Sequence, residues 1–196
     1  MQYALLGDIH SSIKDLENVL AHISKNAPDA KLIGTGDLYE CTISKKDITG
    51  YKFGQLEDVM LIPEGFNELI KFPSIRGNQE ERILLVTETD DPLRVEISAL
   101  SEIITIGNAQ VIHGHQWEWG GEPWALIHAE VESSLTFYGH SHQSALTVNR
   151  EEVLVKFGNP YLVDVENVLV NVGSVICNKE WVHYDSVEGT ITFMKA

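Results

Sequence analysis

Asp8 and His10 stand two residues apart, as do His113 and His115, and again His140 and His142. Each pair has a glycine beside or between its members, in Gly7-Asp8-Ile9-His10, His113-Gly114-His115 and Gly139-His140-Ser141-His142. Two further runs share the character, Gly36-Asp37-Leu38-Tyr39-Glu40 and Gly77-Asn78-Gln79-Glu80. Five of the eight histidines fall inside these motifs, a concentration that random placement rarely produces. Glycine lets the backbone turn tightly and come near an ion. Carboxylate, imidazole and carboxamide donors suit borderline divalent ions such as Mn²⁺, Fe²⁺, Co²⁺, Ni²⁺ or Zn²⁺. Cys41 and Cys177 form no metal-type pair, which argues against a structural zinc knot. Asp-x-His by itself also fits an exposed loop pair. The five motifs in order, each closing a strand, are what point to a metal centre.

The elements around the motifs explain that placement. Residues 2–6 read as a buried strand, and Ser11 or Ser12 can cap the next helix, with Asp15 completing a capping box. Ile13, Leu16, Leu20 and Ile23 recur at helical spacing, and Lys31 to Gly34 forms a second short strand. This strand–helix–strand order is a βαβ unit, whose functional loops gather at the carboxyl ends of the strands. The polar, turn-rich stretch 41–57 leads to a mostly helical reading of 58–71, interrupted by Pro63 and Gly65. Residues 72–75 read as a third strand and 81–100 as a helix-bearing insertion. Gly107-Asn108 is a hairpin turn between strands 103–106 and 109–112. After the strand 135–138 come three expected hairpins: 145–148 with 152–157, 161–164 with 168–172, and 181–184 with 190–194. No repeat or linker interrupts the chain, so residues 1–196 are expected to form one α/β domain.

Composition narrows the partners. The 14 basic and 29 acidic residues give a formal charge of −15, a field that repels polyanions and makes long nucleic acid a poor partner. A small phosphorylated ligand remains compatible, because bound cations reverse the potential locally. No run reaches the roughly 20 apolar residues of a membrane span, and Met1 to Leu6 is too short for a signal-peptide core. The expectation is a cytoplasmic protein with free thiols; homo-oligomers are compatible with the sequence.

The motif order Asp-x-His, Gly-Asp, Gly-Asn, His-Gly-His, Gly-His-x-His, running from Gly7 to His142, resembles the calcineurin-like metallophosphoesterases. The run Ile112-His113-Gly114-His115-Gln116 and the later Asn171-Val172-Gly173-Ser174 look most like the compact bacterial and archaeal phosphodiesterase branch, to which the retromer scaffold subunit is related. Val172 stands where those relatives usually have proline. The fold implied is a four-layer αββα sandwich with two mixed β-sheets.

The resemblance also implies a ligand set. Asp8, His10 and His142 hold a first metal, Asn78, His113 and His140 a second, and Asp37 bridges both. Two divalent ions, Mn²⁺ preferred, would then generate a bridging hydroxide that hydrolyses a small phosphate ester, most readily a diester. Two such ions, two carboxylates and a hydroxide leave a formal charge of about +1 even in this acidic chain. A phosphomonoesterase or nucleotide phosphatase on the same centre, or a non-catalytic scaffold, are the alternative readings. His115 is expected to support the site or meet a substrate oxygen, with an ordinary loop histidine as the alternative. Glu80 and Glu40 are candidates to orient ligand imidazoles, or else act as a cap or surface carboxylate. Many relatives carry histidine after Gly-Asn to protonate the leaving group. Gln79 stands there instead, and a carboxamide cannot deliver a proton at neutral pH. Ser141 reads as a turn residue, and His22, His128 and His183 as surface or core residues. Trp117, Trp119 and Trp124 could form an aromatic wall for a base or aryl group, anchor a partner, or close a loop over the core.

Overall fold

The computed structural model describes residues 1–121, 125–131, 133–163, 165 and 167–196. In its first half β1 (Gln2–Leu6), α1 (Ile13–Asn26) and β2 (Lys31–Gly34) are followed by a small ribbon, β3 (Glu40–Cys41) with β4 (Met60–Leu61). Helices α2 (Phe66–Leu69), α3 (Asn78–Val86) and α4 (Pro92–Ala99) come next. The second half is β-rich: β5 (Ile103–Ile106), β6 (Ala109–Ile112), β7 (Glu118–Trp119), β8 (Leu126–His128), β9 (Leu135–Tyr138) and β10 (Ala145–Val148). Then follow β11 (Glu151–Val153), β12 (Pro160–Leu162), β13 (Val168–Asn171), β14 (Glu180–Asp185) and β15 (Thr190–Lys195).

These strands build a mixed α/β fold on two large sheets. The first has the order β12-β15-β14-β1-β2 and the second β11-β10-β13-β9-β6-β5. Alternation along each strand decides what lies between them. In β1, Tyr3 and Leu5 join Ile33, Val111, Phe137, Val170 and Phe193 in a core between the sheets. Ala4 and Leu6 face the other way and meet Leu16, Val19 and Ile23 of α1. Phe66, Ile83, Val86 and Ile97 of the remaining helices enter this second core, so α1 to α4 cover the first sheet. Outside the second sheet, the described residues place the ribbon β7–β8 (Glu118 pairs with His128).

Four expectations need correction. The helix read over 58–71 shrinks to Phe66–Leu69, because Pro63 has no N–H to give and Gly65 turns left-handed at φ 79. The third strand, 72–75, reduces to single bridges, Gly34 with Ser74 and Ile75 with Ser101, around a proline that cannot donate to a ladder. The hairpin 161–164 with 168–172 does not form, although Asp164 lies outside the described residues. Pro160–Leu162 pairs with β15 in the first sheet, while Val168–Asn171 lies between β10 and β9 in the second. Local alternation gives the face of a strand but not its partner. The capping box at α1 is also different: Ser12 Oγ donates to Asp15 Oδ2 (3.0 Å), and Asp15 turns to Lys179 Nζ (3.1 Å) and the Cys177 amide (3.0 Å), with no side-chain cap on the helix N-terminus.

Other expectations hold. The hairpins β5–β6 and β14–β15 form, and β10 turns into β11 through Asn149 and Arg150, both at positive φ as a tight hairpin demands, although the return strand is Glu151–Val153 rather than the expected 152–157. No helix among the described residues is long and apolar enough to cross a membrane.

The inter-sheet core predicts a measurable cost. Phe137 is fully buried among side chains of both sheets. Phe137→Ala should destabilise the protein by about 3–5 kcal/mol, read as a lowered midpoint in denaturant unfolding. A loss below about 1 kcal/mol would mean that the sheets do not share this core.

Candidate metal centre

The centre is built where parallel strands of both sheets end. β1 and β2 run parallel, as do β6 and β9, and their carboxyl ends carry Asp8, Asp37, His113 and His140. The turn after β1 is laced to the turn after β2: Asp8 N donates to Gly36 O (3.0 Å), and Ile9 N and His10 N both donate to Asp37 O (2.8 and 3.1 Å). The turn after β9 joins them, since His140 N donates to Asp8 Oδ2 (3.0 Å) and Gly139 N to His113 O (3.1 Å).

Two clusters of side chains result. In one, ligand atoms of Asp8, His10 and His142 all lie within 4.8 Å of one another; in the other, those of Asp37, His113 and His140 do so. Asn78 Oδ1 sits 3.1 Å from His113 Nε2, which adds it to the second cluster. Asp37 Oδ2 lies 3.3 Å from His113 Nε2 and 3.8 Å from His10 Nε2, between the two. His10 and His142 approach to 3.1 Å through their Nε2 atoms.

The backbone is strained where these ligands sit. Asp8, His10, Asp37, His140 and His142 all have positive φ, between 49° and 72°. Left-handed non-glycine residues cost about 1–3 kcal/mol each and persist where surrounding structure over-determines them, typically at functional sites. Two glycines make the close approach possible. A Cβ on Gly77 would collide with Asp37 Oδ1, and one on Gly139 with Asp8 Oδ2.

Asp8 and Asp37 are almost fully buried, and their partners are imidazoles and backbone amides. Burial pushes Asp8 up to about 7, against the pull of His113 and with Asp37 adding to the rise. Asp37 is held well below the usual range: burial opposes ionisation, but His113 and the Gln79 amide outweigh it. Burial acts against a charged His113 too, yet Asp37 and Asp8 raise it to about 10. His140 falls to about 3, through burial and the neighbouring His113. His113 Nδ1 donates to Thr35 O (2.8 Å), so its Nε2 lone pair is the one a proton or a metal cation would take. Two carboxylates, four imidazoles and a carboxamide oxygen converging in two groups fit a pair of borderline divalent ions.

The residues around the clusters divide by what they touch. Glu40 Oε2 lies 2.5 Å from His10 Nδ1, where it fixes the ring. Glu80 does not meet an imidazole. Its buried oxygens accept from the amides of Asp37 (3.0 Å), Tyr39 (3.0 Å) and Gly77 (2.8 Å), capping α3 and holding the Asp37 turn. Gln79 Oε1 accepts from Cys41 N (3.1 Å), and the Gln79 backbone N–H donates to Asp37 Oδ1 (2.8 Å). His115 stands beside the second cluster, 5.3 Å from His113 between ring centroids, with Nε2 2.9 Å from Glu81 Oε2. Ser141 Oγ accepts from Asn171 Nδ2 (2.8 Å), a turn contact. Away from the centre, His22 Nδ1 accepts from Trp181 Nε1 (3.1 Å), His183 lies in β14, and His128 is exposed in β8. Trp117 is buried against Tyr138, Trp119 lies 5.4 Å from the His140 ring, and Trp124 lies outside the described residues.

Sequence reasoning missed two asparagines. Asn171 Nδ2 donates to Gly139 O (3.0 Å) while its Oδ1 accepts from Gly173 N (3.0 Å). Asn178 Nδ2 donates to His142 O (3.0 Å). Together they hold the turn that carries His140 and His142. Asn171 lay in a run already singled out, so its position was a usable signal; Asn178 offered none.

A family model for the calcineurin-like phosphoesterase superfamily domain matches residues 1–185. Among solved structures, a metallophosphoesterase from Sphaerobacter thermophilus superposes with a TM-score of 0.66 at 14% identity, covering 100% of this chain and 88% of that one. Yfce, a phosphoesterase from E. coli, gives a TM-score of 0.46 at 16% identity, over 95% of this chain and 89% of that one. An archaeal phosphodiesterase gives 0.49 at 13% identity, over 100% of both chains. A comparison with curated protein sequences finds no match.

The contacts of Glu40 and Asn171 generate a paired test. Glu40→Ala should weaken metal binding by about 10–100-fold at the cluster containing His10 and leave the other cluster unchanged. Asn171→Ala should weaken both, because His140 and His142 share one turn. Calorimetric titration with Mn²⁺ checks this; equal losses at both clusters in Glu40→Ala would contradict the geometry.

Proposed function

The chain belongs to the calcineurin-like phosphoesterase superfamily, a metal-dependent family of hydrolases, and from that premise we propose that it is a two-metal phosphodiesterase acting on a small ester. Asp8, His10 and His142 would hold one divalent ion, and Asn78, His113 and His140 the other. The observation that carries this reading is the place of Asp37, whose Oδ2 lies within 3.8 Å of His10 and 3.3 Å of His113, so that one carboxylate serves both groups. Such a pair of ions supplies Lewis-acid charge that acidifies water and stabilises the oxygens of an in-line displacement at phosphorus. Manganese is the preferred ion, given mixed imidazole and oxygen donors.

The chain's own residues do the rest. Glu40 and the Thr35 carbonyl fix the rings of His10 and His113 through Nδ1, leaving each Nε2 for an ion. Glu80 keeps the Asp37 turn rigid through three amides, so the bridging carboxylate needs no rearrangement. His115, steadied by Glu81, is assigned to an ester oxygen beside the second ion. Gln79 offers no proton, and its carboxamide oxygen is already engaged by the Cys41 amide. The leaving group therefore departs with little protonation from this position, which favours diesters with stable leaving anions over monoesters. The −15 charge disfavours long nucleic acid as substrate. A reducing, cytoplasmic setting suits the unpaired Cys41 and Cys177.

Three experiments test this reading. In elemental analysis after reconstitution, Asp37→Ala should lower occupancy at both positions and His142→Ala chiefly at the first. Chelation should abolish diester hydrolysis, with Mn²⁺ restoring it better than Ca²⁺, which prefers all-oxygen cages. Full activity in excess chelator would sink the mechanism. Across aryl phosphate diesters of graded leaving-group pKa, wild-type rates should fall steeply as that pKa rises. A flat series, with chemistry rate-limiting, would mean that a proton donor is present, its contribution being of the usual order of about 10²–10⁴.

A further inference from the structure

A cleft of about 1190 Å³ lies outside the second sheet, and Ser141 and His142 form part of its wall. It is thus continuous with the first ligand cluster. Its floor is the outward face of the sheet, where Ala145, Thr147 and Leu169 alternate with residues facing the inter-sheet core. Trp119 and Ile127 of the β7–β8 ribbon rise on one side, and Val153, Leu154 and Phe157 on another. A phosphate group alone leaves most of this volume unfilled, since sites of roughly 300–1,000 Å³ hold whole drug-sized ligands.

The charges in the cleft narrow what fills it. Arg150 is the only arginine or lysine among the described lining residues. Glu180 is already matched, with Lys195 Nζ 3.2 Å from Oε1 and Ser144 Oγ donating to Oε2 (2.9 Å), while Glu152 adds a negative charge. Such a lining does not suit a second phosphate or a polyphosphate tail, which calls for several cations. Apolar side chains such as Trp119, Ile127, Leu154 and Phe157 make up about half of the lining, and uncharged polar groups such as Gln143, Thr147 and Asn167 much of the rest, which suits an uncharged organic group.

We propose that this cleft is the subsite for the organic group that stays on phosphorus, and that the substrate is a phosphodiester whose retained group is large and aromatic or apolar. The proposal rests on the phosphodiesterase reading and gives it a substrate class. The phosphate lies at the His142 end, and the substituent extends over β10 and β13 between the ribbon and the β11 side.

Two apolar side chains make the test clean, because Ile127 is 61% exposed and Leu154 78% exposed, so neither supports the core. The Mn²⁺-loaded full chain and the Ile127→Glu/Leu154→Glu double variant are assayed on bis-para-nitrophenyl phosphate and on methyl para-nitrophenyl phosphate. Both esters release the same leaving group and differ in the group retained. The wild-type preference for the bis-aryl ester should fall about tenfold or more in the variant, through KM, while kcat/KM for the methyl ester stays within about twofold. An unchanged preference would overturn the proposal and leave the phosphodiesterase reading standing. Calorimetry with phenylphosphonate and methylphosphonate separates the two ideas. If neither ester is hydrolysed but phenylphosphonate binds more tightly and loses that advantage in the variant, the cleft is upheld and the hydrolase reading fails. Equal binding of both phosphonates to wild type would overturn the cleft. Should the double variant not fold by circular dichroism, Leu154→Glu alone carries the same comparison.

Discussion

Two carboxylates, Asp8 and Asp37, are buried at the ends of adjacent parallel strands, and much of the molecule is arranged around keeping them there. An ionised carboxylate out of water is costly unless donors or cations surround it. Asp37 Oδ1 takes the Gln79 amide and Asp8 takes the His140 amide, so each carboxylate is tied to a turn that carries another ligand. The glycines follow from this constraint, because the chain must come so close to the carboxyl oxygens that Gly77 and Gly139 have no room for a Cβ. So do the left-handed residues, which turn the chain sharply at the strand ends where the two clusters converge.

The strain is supported from behind by residues that no ion would touch. Glu80 draws the amides on either side of the Asp37 turn onto one side chain, while Asn171 and Asn178 grip the turn holding His140 and His142. The two sheets must also be held together, since each supplies part of the centre. After β13 the chain returns to the first sheet, and Val175 N and Ile176 N donate to the carbonyls of Gly7 (3.0 Å) and Asp8 (3.1 Å). The inter-sheet core and these two bonds make the distance between the ligand clusters a property of the fold.

The net charge of −15 and an anionic substrate are compatible only if the field is reversed locally. Four imidazoles and the cations they suit would do that at the centre, whereas the neighbouring cleft, with Arg150 as its sole guanidinium and no lysine among its described lining residues, stays nearly neutral. Discrimination between substrates is thereby divided. On the proposed function, the centre would select for a phosphate, and the cleft for what the phosphate carries.

The sequence by itself determined the candidate ligand types and their order, the βαβ opening, the hairpins at Gly107 and between Trp181 and Met194, and the mixed α/β class, because these depend on local periodicity and on glycine beside polar residues. It also placed Glu40 among the candidates to fix an imidazole. Tertiary structure alone decided the rest. Glu80 and Glu40 read alike as neighbours of a motif, yet one caps a helix under Asp37 and the other meets His10, a difference set by the direction of each side chain once the turns are packed. The strands 160–162 and 168–171 alternate as a hairpin would, but they pair in different sheets, since alternation encodes a buried face and not a partner. Asn178 carries no local signal at all. Its value comes from a hydrogen bond to the carbonyl of a residue 36 positions away, which exists only after the two sheets have come together.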